Sequence, residues 1–277
     1  MAILKTQIMG VLNATPDSFY SQSRCFRNDL AIARGLELFQ KGADIIDIGG
    51  ESTRPYADPV SEEEELERVV PVIKALKKQL TIPLSIDTMK AKVAKAALDA
   101  GASIINDVSG LQDPEMIAMA ADTGARICVM HMQGTPKTMQ ANPIYPKGII
   151  KELLFWFEDK LKALQKAGIK ENNIIIDPGI GFGKTVEDNY QILHNLQKFK
   201  ELGFPVLLGL SRKSFMGKVL NKPPEDLLAP TIALGALAMK ENIDILRVHD
   251  VEEHRSTAVI MEKFLSCSEM KGRHINA

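Results

Sequence analysis

The chain has 277 residues, 34 basic and 35 acidic for a net charge of -1, with 45% hydrophobic and 25% charged residues. That balance is ordinary for a globular protein and excludes disordered, collagenous and low-complexity classes; near-neutrality removes any broad field for nucleic acid or an anionic membrane. No apolar run reaches the ~18–20 residues a membrane helix needs, the N-terminus lacks a charged–apolar–small signal pattern, and three scattered cysteines (Cys25, Cys128, Cys267) suit a reducing cytoplasm better than a disulfide framework.

From the N-terminus, short continuous apolar runs predict strands at Ile8–Leu12, Asp44–Ile48, Leu84–Asp87, Ser103–Asp107, Arg126–Met130, Ile174–Asp177, Val206–Leu210 and Ile245–Val248. An internal echo supports them. Gly42-Ala43-Asp44-Ile45-Ile46-Asp47, Gly101-Ala102-Ser103-Ile104-Ile105-Asn106 and Gly124-Ala125-Arg126-Ile127-Cys128-Val129 each open a pattern of glycine helix stop, buried strand and polar strand end. Amphipathic stretches lie between the strands. The clearest is Ser61–Leu80, with Ser61 and Glu64 as a capping box, Leu66, Val69, Val70, Ile73, Leu76 and Leu80 on one face, and a local bend at Pro71. Eight strand–helix units predict a single (β/α)8 TIM barrel domain over 1–277, with a frayed tail at 266–277 and the active site at the C-terminal ends of the strands. An open doubly wound sheet is the alternative, and it would bind its ligand at one switch point only.

The strand ends favour the barrel. Asn13 follows the first and Glu51 lies past the second; Asp87, Asn106 with Asp107, His131 and Asp177 end the third to sixth; Ser211-Arg212-Lys213 follows the seventh, and Arg247 and His249 bracket the end of the eighth. A barrel would bring Asp87, Asn106, Asp177, Lys213 and Arg247 to one mouth. Buried carboxylates need donors, and a planar heterocycle with an amidine-like edge offers two to one carboxylate. Its carbonyl would accept from Lys213, Arg247 would stack on a ring face, and Met130 would line the pocket. Helix N-capping is the alternative role for Asp87 and Asp177.

Asp177-Pro178-Gly179-Ile180-Gly181-Phe182-Gly183-Lys184-Thr185 fails both nucleotide patterns, because Pro178 stands where a phosphate loop needs glycine and Lys184 where a dinucleotide fingerprint needs it. A loop whose backbone approaches a ligand survives. Two long loops, from Asn13 to about Asn28 and from Gly49 to Val60, lie at the same end. Thr53, Arg54, Ser211 and His249 offer donors to phosphate oxygens. Asn13 suits Mg²⁺ held mainly by substrate phosphate and water, a turn role being its alternative. No zinc spacing and no Ser/His/Asp triad is present.

The segments Asn13-Ala14-Thr15-Pro16-Asp17-Ser18-Phe19, Gly50-Glu51-Ser52-Thr53-Arg54-Pro55, Ser85-Ile86-Asp87-Thr88, Ile105-Asn106-Asp107, Met130-His131-Met132-Gln133-Gly134, Asp177 to Lys184, Ser211-Arg212-Lys213-Ser214 and Arg247-Val248-His249-Asp250 resemble, in order, the motif set of the dihydropteroate synthases. The resemblance covers almost the whole chain. It implies condensation of 6-hydroxymethyl-7,8-dihydropterin diphosphate with 4-aminobenzoate, Mg²⁺ as cofactor, and dissociative displacement of diphosphate. Carried onto matching positions, Asp87, Asn106, Asp177 and Lys213 would hold the pterin. Arg247 would pack on it and engage the diphosphate with His249 and an Asn13-bound Mg²⁺. Thr53 and Arg54 would close over the diphosphate, and Pro55, Phe182 and Ser214 would complete the 4-aminobenzoate pocket. Two departures, Tyr56 and Tyr20-Ser21-Gln22-Ser23, fall in the loops covering that pocket. A methyltetrahydrofolate-dependent methyltransferase would share the pterin residues but need no diphosphate site, and a non-catalytic partner would not need polar groups at every strand end. The Ala- and Leu-rich stretch Leu228–Met239 offers a homodimer face, with packing on the barrel as its other role.

Overall fold

Strands apolar on both faces must be covered on both, and the computed structural model of the protein, which describes residues 5–14, 24–52 and 58–269, does this with parallel strands and helices in alternation. The strands are β1 (Gln7–Asn13), β2 (Ile45–Gly49), β3 (Leu84–Asp87), β4 (Ile104–Asp107), β5 (Arg126–Met130), β6 (Ile174–Asp177), β7 (Leu207–Gly209) and β8 (Ile245–Val248). Their order is β6-β5-β4-β3-β2-β1-β8-β7, and every pairing is parallel. A single bridge between Ile176 and Val206 spans the remaining gap between β6 and β7. This is the predicted (β/α)8 barrel, and each predicted strand is met within a residue or so at its ends.

Helices α1 (Arg24–Gln40), α2 (Glu62–Lys77), α3 (Ala91–Ala100), α4 (Pro114–Thr123), α5 (Ile149–Lys166), α6 (Val186–His194), α7 (Leu196–Lys200), α8 (Ser214–Leu220), α9 (Leu228–Lys240) and α10 (Val251–Glu269) fill the intervals. Gly101 and Gly124 cap α3 and α4 in the left-handed conformation, at φ 116° and 64°, as the repeated sequence pattern requires. Three expectations need correction. Ser61 Oγ accepts from the Glu64 amide, but the Glu64 carboxylate pairs with Arg68, so only half of the capping box forms. α2 ends at Lys77, short of the expected Leu80, with Pro71 inside it on the exposed side. The last helix reaches Glu269, so the expected tail from Ser266 begins as helix; 270–277 lie outside the described residues.

Two apolar layers build the core. Met9, Ile45, Ile104, Cys128, Ile175, Leu207 and Ile245 plug the inside of the barrel. Alternate strand residues, such as Ile8, Ile46, Ile105, Ile127 and Ile176, face outward onto the helices. The inside plug has a consequence for chemistry. Two residues further along their strands, and so on the same side, stand Asp47, Asn106, Met130, Asp177, Gly209 and Arg247. The polar mouth rests directly on an apolar floor. Among the described residues, no helix is long and apolar enough to cross a membrane.

Candidate active site

At the centre of the mouth, Arg247 on β8 reaches across to β2 and β3. Its Nε donates to Asp47 Oδ2 at 2.6 Å and its Nη2 to Asp87 Oδ2 at 2.6 Å. Asn106 on β4 donates through Nδ2 to the same Asp47 oxygen at 3.0 Å. All three acidic and amide side chains are buried. Burial opposes the Arg247 charge, but the Asp47 and Asp87 carboxylates overcome it and push its pKa above the ordinary value. Burial also pushes the Asp87 carboxyl up to about 7; Arg247 counteracts this, while Asp47, Glu65 and Asp107 reinforce it. Asp47 Oδ1, Asp87 Oδ1 and Ser85 Oγ are buried with no hydrogen-bond partner among the described residues. At the mouth, a ligand with ring N–H groups would satisfy an acceptor such as Asp87 Oδ1.

Asp177 and Lys213 form the other side. Asp177 Oδ1 accepts from the Gly179 amide at 2.7 Å; burial raises its pKa, and the Lys213 charge opposes the rise. Burial pushes Lys213 down to about 8, against the pull of Asp177. The Lys213 ammonium donates to the Ile180 carbonyl and stands 4.6 Å from the centre of the Phe182 ring. Neither carboxylate is an N-cap, because Lys90 occupies that position on α3 and Thr185 on α6. Met130, buried at the end of β5, is the register partner of Asp177.

The glycine-rich loop after β6 is built for close backbone approach. Gly179 has φ 72°, and a Cβ there would lie 2.0 Å from the His131 carbonyl oxygen. Gly181 donates to Asn189 Oδ1 and accepts from Gln140 Nε2, both at 2.6 Å. Buried Lys184 closes the loop by donating to the carbonyls of Phe182 (2.9 Å) and His131 (3.2 Å), with His131 Nδ1 at 3.1 Å.

At the ends of β7 and β8, Ser211 Oγ accepts from the His249 amide at 3.2 Å and lies 3.0 Å from its Nδ1, so the two strands present one polar pair. Asn13 ends β1 beside Gly49, and Gly49 adjoins the Asp87 side chain. Ser214 is exposed in the first turn of α8, directly after Lys213. Thr53, Arg54 and Pro55, with Tyr56 and Tyr20-Ser21-Gln22-Ser23, lie outside the described residues.

Four expected mouth residues serve elsewhere. Asp107 follows inward-facing Asn106 and therefore points out, where it accepts from the Ser109 amide at 2.7 Å. His131 likewise follows Met130; its ring meets Trp156 edge-on at 5.0 Å, and burial, then the Lys184 charge, drives its pKa down to about 3. Arg212 forms a two-pronged ion pair with Asp250 at 2.8 and 2.9 Å. Glu51 is held by Lys90 at 2.5 Å. Conversely, Asp47 and Lys184 are site components that the sequence reading passed over. Asp47 left a trace as a carboxylate inside an apolar strand that is covered on both faces.

A family model for pterin binding enzymes matches residues 9–249. The dihydropteroate synthase of Haemophilus influenzae is 46% identical over 245 residues, covering 88% of this chain and 89% of that protein. The chain belongs to the dihydropteroate synthase family. The crystal structure of the Yersinia pestis dihydropteroate synthase with a sulfonamide drug complex superposes with a TM-score of 0.89 at 42% identity, covering 95% of each chain. The Xanthomonas albilineans dihydropteroate synthase with 4-aminobenzoic acid gives 0.88 at 39% identity, covering 94% of this chain and 93% of that one. The resemblance seen in the motifs thus holds for the dihydropteroate synthase family in sequence and in fold.

Proposed function

We propose that this chain, as one domain, condenses 6-hydroxymethyl-7,8-dihydropterin diphosphate with 4-aminobenzoate to give 7,8-dihydropteroate and diphosphate. One arrangement carries the reading. Two buried carboxylates, Asp87 and Asp177, and two cations, Arg247 and Lys213, meet in one barrel mouth closely enough to shift one another's protonation. Asp87 and Asp177 take donors from the pterin edge, Asn106 adds a polar contact, Lys213 donates to its carbonyl, and Met130 and Arg247 cover its faces.

Diphosphate leaves as the C–O bond breaks, and the carbon it leaves is attached to an electron-rich ring that spreads the developing positive charge. Arg54, Arg247 and His249 stabilise the negative charge on the departing oxygens, with Thr53 as a further donor. The arylamine then forms the C–N bond and releases its proton. It is neutral at pH 7, so the site needs little base strength. Phe182, Pro55 and Ser214 shape its pocket. Positioning and fixed charge supply the acceleration, with no covalent enzyme intermediate.

Mg²⁺ fits the donor chemistry at the end of β1. Asn13 offers one neutral amide oxygen, and no group of three His, Cys, Asp or Glu among the described residues supplies a complete cage, so phosphate oxygens and water would fill the shell. When bound, the ion neutralises charge on the leaving diphosphate.

The protein is read as a cytoplasmic homodimer. Buried Cys128 and exposed Cys267 are free thiols, which suits a reducing compartment. Leu237 of α9 and Val259, Ile260 and Phe264 of α10 are exposed on neighbouring helices and give a second copy an apolar face.

The test is an assay with dihydropterin diphosphate and Mg²⁺, with and without 4-aminobenzoate. Equal amounts of dihydropteroate and diphosphate, formed only with both substrates, are expected. Absence of dihydropteroate would overturn the reading.

A further inference from the structure

We propose that Asp47 is a positioning residue that sets Arg247 and Asn106 in their working orientations, so that the pterin meets a preassembled face. The proposal rests on the reading above that the pterin binds at this mouth.

Asp47 is fully buried on β2, and its Oδ2 accepts from both Arg247 Nε (2.6 Å) and Asn106 Nδ2 (3.0 Å). An ionised carboxylate accepts only, which has two consequences. The Asn106 amide must turn its NH2 group toward Asp47, and its oxygen is left as the atom the mouth can use. The Arg247 guanidinium is held through Nε, so its plane is fixed about the one donor that points back along its stem. Its Nη2 remains engaged with Asp87 at 2.6 Å, at the other end of the same plane. Without Asp47 the amide has two orientations of similar energy and the guanidinium rotates about its last torsions. Ordering them on binding would then cost affinity.

Asp47 makes this arrangement from below. It sits two residues along β2 from Ile45 of the apolar plug, between that floor and the mouth. A charge in that place is costly unless it is held by donors, and Arg247 and Asn106 are the donors that hold it.

The experiment compares wild type with Asp47→Asn, which keeps the shape and removes the charge and the accept-only character. Equilibrium binding of 6-hydroxymethylpterin is read by calorimetry, the KM for 4-aminobenzoate is read at saturating dihydropterin diphosphate, and Tm is measured alongside. A rise in the pterin Kd of about tenfold or more, with the 4-aminobenzoate KM within about twofold of wild type, is expected. A folded variant whose pterin Kd stays within about twofold would overturn the proposal. If the variant does not fold, hydrogen exchange at Arg247 Nε in the wild-type protein decides. A slowly exchanging Nε–H supports the clamp, and one that exchanges like an exposed guanidinium refutes it. Wild-type protein that makes no dihydropteroate would refute the proposed function, while the exchange measurement on the free protein would still test the clamp.

Discussion

Lys184 Nζ stands 3.1 Å from His131 Nδ1 and also donates to the His131 carbonyl, tying the glycine-rich loop after β6 to the end of β5. Burial pushes Lys184 down to about 7, while Asp177 pulls it up; His131, held near 3, is neutral. Substituting Lys184→Met strips donors from buried carbonyls and is expected to cost about 1–3 kcal/mol. The pH dependence has a fixed sign. The unfolded chain keeps this proton up to about 10.5 and the folded chain releases it near 7, so the group's contribution is lost as pH falls from about 10.5 to 7. Urea unfolding at pH 6.5 and 9 should show a larger gain for wild type than for the methionine variant.

Asp87 titrates near 7, and only its ionised form accepts two donors. Pterin donors favour that form, so binding releases a proton below this pH. Calorimetry should find the pterin Kd flat above pH 7 and rising about tenfold per unit below it. Asp87→Asn should bind more weakly and lose the slope. A wild-type Kd that is constant from pH 5.5 to 8.5 would contradict the assignment.

Lys213 has lost hydration to reach the Ile180 carbonyl and the Phe182 ring. Lys213→Ala should keep Tm near wild type, because the buried ammonium carries its own desolvation cost. Its kcat/KM for dihydropterin diphosphate should fall about tenfold or more. Wild-type turnover in this variant would disprove the ring contact.

Lys90 joins two carboxylates at 2.5 Å each, Glu51 at the root of the loop after β2 and fully buried Glu65 on α2. Lys90→Ala leaves the Glu65 charge buried without its partner, an expected loss of about 3–5 kcal/mol. Lys90→Arg should recover most of it. Steady-state kinetics of the arginine variant should show a larger change in the 4-aminobenzoate KM than in the pterin KM, since the loop root is what shifts.

The apolar face on α9 and α10 predicts a dimer. Replacing Ile260 and Phe264, both exposed, by glutamate should convert the protein to monomer in sedimentation velocity with the fold intact. Unchanged sedimentation would place the interface elsewhere.

Much of the barrel was legible because parallel strands are uniformly apolar and glycine stops recur before them. The register was less so. Strand ends such as Asn106-Asp107 and Met130-His131 place two polar or functional candidates side by side, yet only alternate residues face inward, and a one-residue offset decides which. Asp47 closed the first glycine–strand repeat as its polar end, and nothing in that pattern marked it as buried and inward-facing. Glu65 was hidden because the α2 face was counted by its apolar members and the partner that makes a buried glutamate tolerable, Lys90, lies 25 residues away. Lys184 was tested only against nucleotide loops, and its actual acceptors are backbone carbonyls, which no spacing rule encodes.

The single bridge between Ile176 and Val206 makes the β6–β7 junction the thinnest stitch in the ring. Asp177 and Lys213 stand at the top of its two sides. A pterin held by both, as proposed above, would act as a strap across that junction, and its affinity would add to the resistance of the barrel to opening there. At a hundredfold excess over Kd this amounts to about 2.7 kcal/mol. On that arrangement, occupying the site and closing the ring would be one equilibrium.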